Sequence, residues 1–274
     1  MHIFVHTNDV QLIGAKIAAF SFFRALPQES NVSVSVLQTE RFPALKAFHG
    51  SSFSHKGRKV SFDYNDIQSF TLLRLAVPEV MQYKAKALVV DPDVFWVSDE
   101  SPCQLFQYVD AKTPIACVHK HHWRTSVMVT NNEHLKDWSM AEALNALRRG
   151  DDYKQLIELG HIDQSRINSL PAHFNCFDSL PKNGKVLHFT RRQTQPWRTG
   201  LPLREKYEKK LSVRFLKALF GKNKHIPHPN TDLEQLFFQI AKDAFASGHL
   251  TQDEVLQAQE DGMIRPDFLD ILRA

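Results

Sequence analysis

Cysteine is scarce in this chain. There are three in 274 residues, Cys103, Cys117 and Cys176, an odd number with no C-x-x-C spacing. A disulfide framework and a four-thiolate zinc site are thereby excluded, and the reading is a protein of a reducing compartment. No apolar run approaches the roughly 20 residues that span a bilayer. The start, Met1-His2-Ile3-Phe4-Val5-His6, lacks the charged opening and apolar core of a signal peptide, so the expectation is a cytoplasmic protein. Ten glycines and thirteen prolines are too few for a fibrous or disordered chain. Charge of one sign is also in short supply, the formal net being +4. It is unevenly spread, however: between Lys182 and Lys224 thirteen Lys and Arg face only Glu205 and Glu208. What remains is a globular composition, long enough to bury a core without cross-links.

Strand and helix patterns alternate through the first ninety residues. Ile3-Phe4-Val5 reads as a strand, Ile13 to Leu26 has helical periodicity, and Val32 to Leu37 alternates as a second strand. Residues 49–66 are polar and turn-rich, and Ile67 to Val77 reads as a helix stopped by Pro78. Ala87-Leu88-Val89-Val90 is the continuous apolar run of a buried strand, ending in Asp91-Pro92-Asp93. Further on, Val127 to Val129 suggests a strand, Asn132 through Leu147 a helix, and Val186 to Phe189 another strand. Thr231 to Ala246 is an apolar helix. Thr251 with Glu254 has capping-box spacing, and the segment from Ala244 to Ala274 reads as a helical cap. The alternation argues for an α/β, Rossmann-like sheet, whose ligands gather outside the carboxyl ends of its strands, where Asp91 and Asp93 fall.

Two carboxylates one residue apart at a strand end can reach one hard cation, which can in turn hold a diphosphate. The alternative is a turn with two solvated aspartates. A phosphoesterase using Asp91 as nucleophile is a third reading, weakened because Phe95 stands where that pattern continues with Thr or Val. His119, His121 and His122 beside Trp123 have no carboxylate or thiol next to them and read as loop histidines bordering an acceptor cleft. From Leu203 to Phe220 apolar residues recur every fourth position among six Lys and Arg. That pattern suits either a helix lying on an anionic bilayer or a helix packed on the fold.

Order and spacing add more than any single motif. Arg74-Leu75-Ala76-Val77-Pro78, Asp91-Pro92-Asp93, Asp163-Gln164 to Asn168, Leu170-Pro171 to Asn175, and His188-Phe189 to Pro196-Trp197 follow one another as in the glycosyltransferase family 8 enzymes. Over roughly residues 1–200 the chain resembles that family, the group of glycogenin and the lipooligosaccharide galactosyltransferases. The resemblance implies a GT-A domain over 1–200, an α/β Rossmann-like mixed sheet flanked by helices, with a helical C-terminal extension over 201–274. It implies a metal-dependent, retaining hexosyltransferase that takes a UDP-sugar or related nucleotide sugar and passes the hexose to a glycan or other hydroxyl acceptor. Asp91, Asp93 and His188 would hold Mn²⁺, or another divalent cation such as Mg²⁺. Gln164 would lie near the reacting carbon, and Asp163 and Arg74 would hold sugar hydroxyls. His6, Thr7 and Asn8 would face the base, and Arg124 and Thr125 the donor. No nucleic-acid partner is implied. A lipid-linked acceptor would suit peripheral contact at an inner membrane face through 203–220.

The departures from the pattern are local. Trp123-Arg124-Thr125-Ser126-Val127 replaces F-N-[SA]-G-V, so Arg124 stands for an Asn and Ser126 for a Gly. Gln195 replaces a phosphate-binding Lys, leaving Arg191, Arg192 and Arg198 as the nearby cations. These departures keep open a degenerate protein that binds a nucleotide sugar without turnover.

Overall fold

In the computed structural model, residues 1–191, 195–199, 201 and 228–274 are described. They form two compact units, Met1–His188 and Phe189–Ala274. The basic stretch 203–220 lies outside the described residues.

The first unit is organised by strands β1 (His2–Thr7), β2 (Ser33–Gln38), β5 (Lys86–Val90), β7 (Ile115–His119), β8 (Trp123–Asn131) and β9 (Ile167–Leu170). They form one mixed sheet in the order β2-β1-β5-β8-β7-β9. β1 runs parallel to β2 and β5, β8 antiparallel to β5 and β7, and β7 parallel to β9. The apolar run of β5 is wholly buried, each of its larger side chains contributing about 1.5–3 kcal/mol. Phe4, Ala87, Val89, Cys117 and Met128 share one core with helices α3 (Leu73–Val80) and α4 (Met140–Arg149). By the two-residue alternation of strands, Ile3, Val5, Leu88 and Val90 are buried on the opposite face. Helix α1 (Leu12–Phe23) packs on β1 and β2. Short helices α2 (Pro43–Ala47) and α5 (Tyr153–Ile157) complete the unit.

A second, small sheet carries part of the site. In it β11 (Val186–His188) lies between β10 (Cys176–Phe177) and β6 (Val94–Trp96), parallel to β10 and antiparallel to β6.

The structure departs from the sequence reading at several places. Pro78 does not stop α3 but sits inside it. Only the bond to the Arg74 carbonyl is forfeited there, and the helix ends two residues later anyway. The helix expected over Asn132–Leu147 is a 3₁₀ turn at Asn132–His134 and then α4 alone. Buried Asn132 spends its amide on the Ala85 carbonyl (3.0 Å) and accepts from Thr130 (2.8 Å), a local alternative to helix. Ser139 then caps α4 through Glu142 N. Within the turn-rich 49–66 stretch, β3 (Ser52–His55) and β4 (Arg58–Ser61) form a hairpin, with Lys56 (φ 54°) and Gly57 (φ 69°) supplying the left-handed turn that matches strand twist.

In the second unit, α6 (Thr231–Ala246), α7 (Gln252–Glu260) and α8 (Phe268–Arg273) enclose Phe189, Trp197 and Phe237. The Trp197 and Phe237 rings stack at 5.1 Å. Thr251 and Glu254 form the reciprocal capping box. None of the helices described is long and apolar enough to cross a membrane.

Candidate functional site

Strand pairing explains why residues almost a hundred positions apart converge. β5 ends at Val90, so Asp91 and Asp93 flank Pro92 at its carboxyl end, directly before β6. The antiparallel register pairs His188 with Val94, bringing the ring beside Asp93. His188 Nε2 lies 3.3 Å from Asp93 Oδ1. One donor atom from each of Asp91, Asp93 and His188 falls within 4.8 Å of the others. A cation with bonds of about 2.4 Å can touch donors no farther apart than twice that length. Two hard oxygens and one imidazole suit a divalent first-row ion. The donor set therefore fits a metal, as the pattern suggested.

Asp91 is held by a clamp. Arg74 Nη2, from α3, donates to both its carboxylate oxygens (2.5 and 2.6 Å), and Nε reaches Oδ1 at 3.2 Å. Arg74 Nη1 donates to Thr125 Oγ1 at 2.7 Å, and that hydroxyl donates on to the Ile157 carbonyl. His6, at the end of β1, donates from Nε2 to Asp91 Oδ1 at 2.6 Å. Burial works to raise the Asp91 carboxyl; the Arg74 guanidinium, with help from His6, outweighs it and holds the group well below the usual carboxylate range. With both oxygens already accepting from Arg74, and Oδ1 from His6 as well, this carboxylate is poorly placed to attack phosphorus, which counts against a phosphoesterase. It retains a lone pair on Oδ2 for a cation. Burial pushes His6 below the ordinary imidazole value against the pull of Asp91. Burial also opposes charge on His188, but Asp93 overrides it and raises that ring. Asp93 and the Oδ2 lone pair of Asp91 supply the negative charge that favours a cation here.

His6 lies fully buried beside Asp91 and supports the clamp. The Thr7 hydroxyl bonds the Asn8 carbonyl. Asn8 donates to Asp66 O and Ser69 Oγ, while its Oδ1 is buried with no hydrogen-bond partner among the described residues. Arg124, half-buried on β8, lays its guanidinium 4.0 Å over the Phe177 ring, and Phe177 meets His188 edge-on at 4.8 Å. Asp163 is exposed and caps its own turn, accepting from Ser165 N and Oγ. Gln164 accepts from Trp123 Nε1 (2.5 Å) and donates to the Ile162 and Leu159 carbonyls. The candidates for holding phosphate belong to the second unit. Arg191 is exposed, Gln195 is buried and Arg198 donates to the Met263 carbonyl at 2.9 Å; Arg192 lies outside the described residues.

Two neighbours carry a role that the sequence reading left unassigned. Asn175 Oδ1 lies 3.0 Å from His188 Nδ1, and Asn175 Nδ2 donates to Ser126 Oγ at 2.9 Å. Both stand inside the motif blocks named above, which was the available signal.

Neither protein-family models nor curated protein sequences yield a match to this chain. Solved structures do. The galactosyltransferase LgtC in complex with donor and acceptor sugar analogues is similar at a TM-score of 0.54 and 14% identity, over 89% of this chain and 96% of that one. The apo WbbM bifunctional glycosyltransferase is similar at 0.52 and 14%, over 73% of this chain but only 47% of that one. The apo form of the glycosyltransferase GlyE of Streptococcus pneumoniae TIGR4 is similar at 0.50 and 13%, over 90% and 63%. The chain thus has the GT-A glycosyltransferase fold, as the resemblance of its motif blocks implied.

Proposed function

We propose that this chain is a metal-dependent glycosyltransferase that moves a hexose from a nucleotide sugar to a hydroxyl of a glycan acceptor. The observation that carries the reading is the Asp91–Asp93–His188 triad at the carboxyl end of β5, on a GT-A fold. A divalent cation bound there, Mn²⁺ or Mg²⁺, supplies positive charge against the diphosphate as the glycosidic bond breaks. Arg74 keeps Asp91 ionised and aimed, so the carboxylate is ready for a cation without reorganisation. Arg124, with its charge laid on Phe177 beside His188, adds a fixed cation on the donor's side of the site. Gln164 and Asp163 are the proposed contacts near the reacting carbon and the sugar hydroxyls. His6 supports Asp91, while Thr7 and Asn8 are proposed to face the base. Arg191, Arg192 and Arg198 are the proposed source of phosphate charge in place of Gln195. Support for a sugar donor and acceptor comes from LgtC, whose structure holds analogues of both. Retention of anomeric configuration, a 1–200 catalytic domain with a 201–274 extension, a cytoplasmic setting and peripheral membrane contact through 203–220 belong to the same proposal.

The test is a panel of nucleotide sugars with Mn²⁺, following nucleoside diphosphate release. One donor should be turned over, EDTA should abolish turnover, and proton NMR of the first product should show the donor's anomeric configuration. Specific donor binding that raises thermal stability without any release would leave a non-catalytic binding protein instead. No donor bound with or without metal would overturn the proposal.

A further inference from the structure

We infer that Ser126, Asn175 and His188 form a hydrogen-bonded relay that holds the His188 ring with Nε2 turned toward the cation site; this rests on the metal site proposed above. An imidazole that lends its Nε2 lone pair to a metal keeps its single proton on Nδ1, and a buried N–H needs an acceptor. Asn175 Oδ1 stands 3.0 Å from Nδ1. Once that oxygen faces the ring, the amide nitrogen faces away and needs an acceptor of its own. Ser126 Oγ provides one at 2.9 Å. The three residues are 3, 8 and 7% exposed for Asn175, Ser126 and His188, so bulk water does not stand in for any member.

Ser126 is also where the two ligand-bearing segments meet. Its carbonyl accepts from Asp91 N at 3.0 Å, while its side chain reaches His188 through Asn175. The Gly of the family pattern could make the first bond and not the second. Ser126 therefore joins both arms of the metal site, one through its carbonyl and the other through its hydroxyl, making Ser126 and Asn175 positioning residues. Partners of this kind fix ring orientation, and losing one lowers metal affinity by about 10–100-fold.

The experiment is calorimetric titration of the metal-free full chain with Mn²⁺ alone, without donor. Asn175→Leu keeps the volume and removes the acceptor, so affinity should fall by about 10–100-fold. Asn175→Asp keeps an acceptor for Nδ1–H and should restore most of that loss. Ser126→Ala should cost less than Asn175→Leu. In a His188→Ala background, Asn175→Leu should have no further effect, because its action passes through that ring. A merely structural Asn175 would give equal losses for Leu and Asp and additive losses with His188→Ala, and either result overturns the relay. Should Asn175→Leu fail to fold, the contrast between Ser126→Ala and Asn175→Asp decides the same question. Wild-type protein that binds Mn²⁺ while Asn175→Leu binds equally well removes the relay and leaves the metal site. Wild-type protein that binds no Mn²⁺ removes both.

Discussion

Replacing Arg74 by Gln tests the clamp on Asp91 most directly. Arg74 makes three contacts to the Asp91 carboxylate and one to Thr125, all inside the fold. Truncating one partner of such a buried pair leaves the other charge uncompensated, at a cost of about 3–5 kcal/mol. The lower end is expected here, because His6 still donates to Asp91 Oδ1. The sign of the pH dependence follows from the lowered Asp91 carboxyl. A depressed folded value means that the stabilisation is fully present above the unfolded value of about 3.9 and is lost as pH falls through the folded one. The deficit of Arg74→Gln should therefore be largest near neutrality and shrink in acid, where Asp91 takes a proton and no longer needs the guanidinium. Equilibrium urea unfolding followed by tryptophan fluorescence measures it, with Trp96, Trp123 and Trp138 reporting on the first unit. A neutral-pH deficit below about 1 kcal/mol, the scale of an exposed pair, would refute the reasoning. So would a deficit that grows toward acid.

Asp91→Asn and Asp93→Asn should each abolish Mn²⁺ binding in a calorimetric titration while leaving the far-ultraviolet circular dichroism unchanged, and His188→Ala should weaken it less, as the loss of one neutral ligand of three. Asp152 caps α5 through Lys154 N and also accepts from Gly57 N and Ser54 Oγ in the hairpin. Asp152→Ala should lower stability by about 1–2 kcal/mol, the usual range for a lost cap. The backbone N–H of Gly57 leads the depression of the Asp152 carboxyl, so this difference should vanish as pH falls through its folded value; urea midpoints across the acid range would show it. Co-sedimentation with anionic vesicles at low salt should retain the protein if 203–220 lies on a bilayer, and neutral vesicles or high salt should release it; absence from the anionic pellet would leave that segment to packing.

Legibility followed the range of the interactions. The β5 run, α6 with its bounds at Thr231 and Ala246, and the capping box at Thr251 were readable because periodicity and capping are local signals. The grouping of Asp91, Asp93 and His188 was readable through the likeness of their motif blocks to a family rather than from any one residue. Strands β6, β7 and β9 carried too few residues or too mixed a pattern to stand out, and pairing with neighbours makes them strands. The partners of Asp91 were not legible at all. His6 and Arg74 lie 85 and 17 positions away, and only the sheet register and the seat of α3 bring them to one carboxylate. Asn175 sat in a recognised block, but its task depends on which atom of His188 it meets.

The pairing of His188 with Val94 has a consequence for how the protein comes into being. The site draws on β1, α3, the end of β5, β8, the residue before β10 and finally β11, so it collects its members from nearly the whole length of the first unit. Contacts so distant in sequence form late and slowly, after long loops have closed. During synthesis the nascent chain holds both aspartates long before their histidine emerges, and Asp91 meets its clamp before its third companion arrives. The three candidate metal ligands can therefore come together only once β11 has paired with β6. A bound ion would tie the segment at 91–93 to the one at 188, acting as a cross-link between strands that are far apart in the chain.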